Sequence, residues 1–289
     1  MQQQDIVTPQ PVESEVIIET RSLSRVYPGV VALDNVNYRV YRNKVNVLIG
    51  ENGAGKSTMM KMLAGVETPS SGEIFLDGTP VSMNSTHQAE KLGISIIFQE
   101  LNLFPNMNVM DNIFMANEFF QKGKINEKYQ YALAQSLLKR LELDVDPYTP
   151  LEELGIGHQQ LVEIARALSK DTRVLIMDEP TSALSQSEVK ILFNVIEQLK
   201  RRGVTIIYIS HRLEELMEIG DYITIFRDGR FISERPVSDA SIPWIIEQMV
   251  GDKKKHFDYQ PAPQGNTVLD VRGLTALHSS GGRSEERRV

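Results

Sequence analysis

Apolar residues in this chain come in short unbroken runs, not in strict alternation with polar ones. Val45–Ile49, Ile94–Phe98, Val174–Met177, Thr205–Ile209 and Tyr222–Phe226 are rich in Val and Ile and are bounded by turn residues. Continuity over so few positions predicts parallel strands covered on both faces. Between these runs the spacing predicts helices over Lys56–Ala64, Glu127–Leu143, His158–Ser169, Gln186–Arg202 and Leu213–Glu218. Strand and helix in alternation predict an α/β domain built on an open sheet. A further β element is expected at Gly72–Pro80, where Asp77-Gly78 is a hairpin turn signal.

The pattern fails at both ends. Residues 1–15, MQQQDIVTPQPVESE, are polar and contain Pro, which predicts a mobile tail before a patterned domain over 16–250. Residues 251–266 carry a Lys triplet and two prolines and read as a linker. From Val268, VLDVRGLTAL then echoes VIIETRSLSR at Val16; each has an apolar run, an acidic residue and an Arg (Arg272, Arg21). Either two strand-like segments coincide, or 267–289 is the cut-off start of a duplicated domain. The closing RSEERRV leaves the apolar pattern and reads like a translated sequencing adapter, so an artificial stop is expected there.

Composition narrows the class. Of 289 residues, 41% are hydrophobic, enough for a packed core, and none is Cys, which excludes disulfides and thiolate metal sites. The 31 Lys+Arg against 38 Asp+Glu give a net charge of −7, which argues against nucleic acid as a whole-surface partner. No run approaches the roughly 18 apolar residues of a spanning helix. The start lacks the basic and apolar regions of a secretory signal. A soluble, cytoplasmic protein is expected.

The strongest chemical signal is Gly50-Glu51-Asn52-Gly53-Ala54-Gly55-Lys56-Ser57, followed by Thr58. It has the phosphate-loop spacing G-x-x-x-x-G-K-[ST] between a predicted strand and a predicted helix. Glycines let successive amides point into one anion-sized concavity, to which the helix start adds unpaired donors. Lys56 supplies a point charge for the β- and γ-phosphates, and the Ser57 hydroxyl can ligate Mg²⁺. Asp178 and Glu179 end the Val174–Met177 run at the carboxyl edge of the sheet, where ligands of open α/β folds bind. There Asp178 would hold the Mg²⁺ shell and Glu179 the attacking water, unless the pair merely caps a neighbouring helix. Gln99, also at a strand end, is a ligand for Mg²⁺ or water, or an ordinary surface residue. A guanine-reading NKxD is missing, so GTP specificity is unsupported.

Just upstream of the acidic strand lies Gly155-Ile156-Gly157-His158-Gln159-Gln160-Leu161-Val162-Glu163-Ile164-Ala165-Arg166-Ala167-Leu168. It resembles the signature segment of ATP-binding cassette (ABC) ATPases, usually LSGGQ. The resemblance extends over residues 16–250. In it, Tyr27 matches the aromatic that stacks on adenine, and Gln99 the loop sensing the γ-phosphate and the membrane partner. Ser182-Ala183-Leu184-Ser185 matches the D-loop through which two cassettes meet, and His211 the switch histidine. YPGVVALDNV, GENGAGKSTMMKMLAG, FQELNL and LVEIARAL are similar to the twin-cassette sugar importers of the ribose, galactose, arabinose and xylose group.

The resemblance implies a P-loop fold with a mixed-sheet core, an antiparallel β lobe and a helical lobe. It implies ATP and Mg²⁺ as ligands, with Glu179 as base and His211 orienting the γ-phosphate and water. Gly155, Ile156, Gly157 and His158 would contact ATP held by a second cassette. The implied partners are membrane permease subunits docking near Gln99–Met110 and the helical lobe, that second cassette, and indirectly a sugar-binding protein, at the cytoplasmic face of the membrane. Two departures stand out: Gly155 replaces the usual Ser, and His158 the usual Gln. The lost hydroxyl removes a charge-assisted bond of about 1.5–3 kcal/mol. Arg42-Asn43-Lys44 replaces a Gly-Glu turn, at a position where Asn tolerates a left-handed backbone. Two rival functions are a soluble twin-cassette ATPase on ribosomes or nucleic acid, and a fragment unable to hydrolyse ATP.

Overall fold

The structure is a computed structural model that describes residues 15–251. The expected tail up to residue 14, the linker from 252, the echo at Val268 and the closing RSEERRV lie outside the described residues. The chain opens with strands β1 (Val16–Tyr27), β2 (Val30–Val36), β3 (Arg39–Tyr41) and β4 (Val45–Ile49), then helix α1 (Lys56–Leu63). Next come β5 (Ser71–Leu76), β6 (Thr79–Val81), α2 (Thr86–Lys91), β7 (Ile94–Ile97) and α3 (Val109–Phe114). The hairpin β8 (Phe120–Gln121) and β9 (Lys124–Ile125) leads to α4 (Glu127–Arg140) and α5 (Ile156–Leu168). β10 (Val174–Asp178), α6 (Gln186–Arg201), β11 (Thr205–Ile209) and α7 (Leu213–Ile219) follow. Last are β12 (Tyr222–Arg227), β13 (Arg230–Pro236) and α8 (Ile242–Val250).

Each of the five apolar runs becomes a strand of one six-stranded sheet, in the order β13-β12-β4-β11-β10-β7. Its pairs are parallel except for β13, which closes one edge antiparallel to β12. Both faces are covered, and successive side chains feed two different cores. Val45, Val47 and Ile49 face one core and Leu48 the other; Leu175 and Met177 face the first, Val174 and Ile176 the second. Hence the runs are continuous.

A second sheet runs β2-β1-β5-β6, with β3 also on β1, all antiparallel. Only its β5–β6 hairpin is legible from the pattern; Asp77 and Gly78 turn it with φ of 51° and 73°. The rest of the lobe is an expectation of the resemblance. Helix α1 fills the space between the sheets, burying Met59, Met60, Met62 and Leu63 in the core they share. The helical lobe groups α3, α4 and α5 on the opposite face.

Two helix boundaries differ from the sequence reading by more than one residue, for identifiable reasons. Helix α4 stops at Arg140 because Glu142 turns left-handed (φ 56°) and the Leu143 N–H closes onto Leu138 O at 3.0 Å. Helix α5 starts at Ile156, before the expected His158, with Gly155 as its cap. At Asn43 the backbone is left-handed, as the residue type allows (φ 55°). Buried Asn46 braces that turn, accepting from Tyr41 N at 2.7 Å and donating to Tyr41 O at 2.9 Å. Helices α2, α3 and α8 and the β8–β9 hairpin have no counterpart in the sequence reading. No described helix is long and apolar enough to cross a membrane.

Candidate active site

The loop Gly50–Gly55 links the carboxyl end of β4 to α1, as its spacing predicts. Gly55 caps the helix with φ 95°, and a Cβ there would lie 2.7 Å from the Ala32 carbonyl, so a side chain is excluded. No side chain caps α1, which leaves its first amides facing the loop. The Lys56 ammonium donates to the carbonyls of Gly50 (2.8 Å) and Glu51 (3.1 Å) and so lies across the loop. Burial lowers its pKa, countered by the charges of Glu179 and Asp178.

Those carboxylates come from the end of β10, brought beside the loop because β10 and β4 both flank β11. Burial and the neighbouring Glu179 raise the pKa of Asp178, against Lys56, Lys61 and a hydrogen bond from Ser57. Ser57 and Asp178 are thus together, and with Lys56 they form one polar cluster. Glu179 follows the strand in a left-handed conformation (φ 50°) that re-aims its side chain. Its Oε1 lies 3.2 Å from His211 Nδ1. His211 itself is largely exposed.

Sequence reasoning missed the residue that sets this pair. Buried Glu215 of α7 accepts from Thr181 Oγ1 (2.8 Å), Tyr208 Oη (3.2 Å), Ser210 Oγ (3.2 Å) and Arg212 Nη1 (2.9 Å). Ser210 and Arg212 flank His211, and Thr181 follows Glu179 closely, so one carboxylate ties both loops. Only its place four positions after His211 could have signalled it.

Gln99 is exposed just beyond β7 and shares a cleft of about 590 Å³ with Asp178, Glu163 and Arg166. Tyr27 ends β1 in the antiparallel lobe, half-buried, its hydroxyl donating to Glu67 and one ring face 4.8 Å from the Arg25 guanidinium. Gly155, Ile156, Gly157 and His158 form the first turn of α5. The Gly157 N–H donates to Glu188 Oε1 of α6 at 3.2 Å, and no side-chain hydrogen bond joins this turn to the loop Gly50–Ser57 among the described residues. Glu188 also accepts from Ser185, whose hydroxyl holds its pKa down. Ile156 is half-exposed, and a Cβ on Gly155 would meet nothing within 4 Å.

The site therefore brings together Lys56, Ser57, Asp178, Glu179 and His211, with Gln99 reaching the same cleft from another strand. Among the described residues no cluster of three or more His, Asp or Glu forms a self-contained metal cage. The Ser57 and Asp178 oxygens instead suit a hard cation that keeps phosphate and water in its shell.

Known proteins match this chain in sequence and fold. The chain is 46% identical to a xylose import ATP-binding protein, XylG, of Thermoanaerobacter pseudethanolicus, over 91% of this chain and 52% of that protein. It is 44% identical to a ribose import ATP-binding protein, RbsA 1, of Rubrobacter xylanophilus, over 89% of this chain and 52% of the relative. The chain thus spans about half the length of the curated relatives it matches. Among solved structures, cbiO1 of Clostridium perfringens, part of the ABC transporter complex cbiONQ, superposes with a TM-score of 0.70 at 27% identity. That match covers 82% of this chain and 94% of cbiO1. The ABC transporter family model matches residues 33–182, from β2 through the phosphate loop, the α5 turn and the Asp178-Glu179 pair, and the chain belongs to the ABC transporter family.

Proposed function

We propose that this cassette binds MgATP on the loop Gly50–Thr58 and hydrolyses it, and that in the complete protein it powers import of a small sugar through separate membrane subunits. The observation that carries the reading is the cluster of Lys56, Ser57, Asp178 and Glu179 at the carboxyl edge of one parallel sheet. Amides of the curled loop and of the α1 terminus bind the phosphate oxygens, and Lys56 adds a fixed positive charge. Ser57, Asp178 and Gln99 would hold Mg²⁺, which when bound neutralises charge on the phosphate oxygens. Glu179 orients and deprotonates the attacking water, while His211, 3.2 Å from Glu179, holds the line of attack. Tyr27, with Arg25 over one ring face, would stack adenine on the other.

The turn Gly155–His158 has no side-chain hydrogen bond to the cassette's own loop among the described residues, which supports a role toward a nucleotide on a second cassette, for which the Gly157 amide would leave Glu188 Oε1. Relatives named as xylose and ribose import proteins support a sugar as cargo, with permease subunits and a sugar-binding protein as partners at the cytoplasmic face of the membrane. The net charge of −7 counts against nucleic acid. Equilibrium binding of fluorescent MgATP to the purified chain tests the core of this reading. Lys56→Ala should weaken binding at least tenfold; unchanged affinity would refute it.

A further inference from the structure

The cleft at Gln99 holds a carboxylate that the reaction does not use. Glu163 of α5 is 6% exposed, yet only one of its oxygens is engaged. Oε1 accepts from the Asn102 N–H at 3.3 Å, whereas buried Oε2 has no hydrogen-bond partner. A half-satisfied buried carboxyl costs stability, so packing alone does not account for it. One helical turn on, Arg166 Nη1 donates to the Asn102 carbonyl at 2.8 Å. Both backbone polar groups of this one loop residue are therefore held by side chains of one helix.

The two ends of this contact lead to different parts of the site. Asn102 is three residues from Gln99, which lines the cleft with Asp178. Glu163 lies about two turns along α5 from the Gly155 cap. Elsewhere in the cleft, Lys170 is paired with Glu90. The loop's far side is anchored independently, because buried Asn112 of α3 accepts from Phe104 N at 2.7 Å and donates to Phe104 O at 3.0 Å. The stretch between Gln99 and Phe104 is thus short, held at both ends, and attached to α5 at one residue.

We propose that Glu163 and Arg166 form a clasp on the Asn102 backbone that makes the Gln99 loop and helix α5 move as one body, delivering nucleotide state at Gln99 to the Gly155–His158 turn. Glu163 and Arg166 are positioning residues in this scheme, since neither touches the nucleotide cluster. The long Asn102–Glu163 bond and the spare Oε2 allow the amide to shift between the two oxygens without losing an acceptor. The proposal rests on the reading that MgATP binds at Lys56.

Amide hydrogen exchange of the full chain, with and without MgATP, tests it. In the parent, both the segment around residues 98–104 and that around 155–160 should change protection on adding MgATP. Arg166→Met and Glu163→Ala should keep parental nucleotide affinity and the response at 98–104, while the response at 155–160 falls at least threefold. Glu163→Gln retains an acceptor oxygen and should restore the coupled response, which a purely structural role would not distinguish from Glu163→Ala. If both segments respond in Arg166→Met as they do in the parent, the clasp is wrong. Should the parent bind no MgATP, the nucleotide reading itself fails, and that failure is visible before any variant is made.

Discussion

Burial, not a partner charge, dominates the carboxyl of Glu163, pushing its pKa from 4.5 up to about 7 against the Asn102 amide and the Arg166 charge. Below pH 4.5 the group is neutral in the folded and the unfolded chain. Between 4.5 and 7 the unfolded chain releases the proton first, so the stability held by the neutral form is lost as pH rises toward 7. Glu163→Gln should therefore melt close to the parent at pH 5 and be more stable at pH 8 by up to about 3 kcal/mol, at roughly 1.36 kcal/mol per unit. An equal gap at both pH values in thermal melts would contradict this. Gly155 makes a separate prediction: with nothing within 4 Å of a Cβ, Gly155→Ser fits without displacement and adds a helix cap worth a few tenths of a kcal/mol. In the full-length protein it should raise turnover of the composite site about tenfold or more, through a charge-assisted bond of about 1.5–3 kcal/mol. Unchanged steady-state ATPase would show that the helix amides alone suffice.

Elements with a strong local cause are legible in the sequence. The five core strands are readable because a strand sandwiched between two apolar layers carries few polar positions, α1 because the phosphate loop leads into it, and α6 because apolar spacing and its cap agree. Ser185 and Glu188 form a capping box at α6, a signal present in the residues themselves. Strand β1 is legible only as a strand-like start at Val16, because it pairs with three neighbours and shifts register around Leu23–Arg25, which breaks its alternation. Asn46 sits inside an apolar run and gives no sign of its role. In the fold its side chain donates to the carbonyls of Tyr41, Lys44 and Ile206 as well as accepting from Tyr41 N. Asn46→Ala should cost about 2–3 kcal/mol in denaturant melts by orphaning the buried Tyr41 amide. A loss under about 0.5 kcal/mol would mean that water replaces these bonds.

At the scale of the molecule, the proposed function makes the Lys56 cluster and the α5 turn two half-sites for different nucleotides, and so predicts assembly. Glu179→Gln keeps the side-chain size while removing the base, so MgATP should accumulate unhydrolysed and hold two cassettes together. Light scattering should show a doubling of mass with MgATP that reverses when the nucleotide is removed; a mass independent of MgATP would rule this out. Phosphate-loop chemistry, the acidic strand end and the core strands follow from local order, because their spacing along the chain is itself the geometry that a loop, a helix start or a buried strand requires. Which carboxylates meet which donors is another matter. Glu215 reaching Thr181, and Glu163 reaching Asn102, depend on elements far apart in the chain being packed side by side. No local pattern encodes such encounters, since each is created by the folding of the surrounding layers and not by the neighbours of either residue.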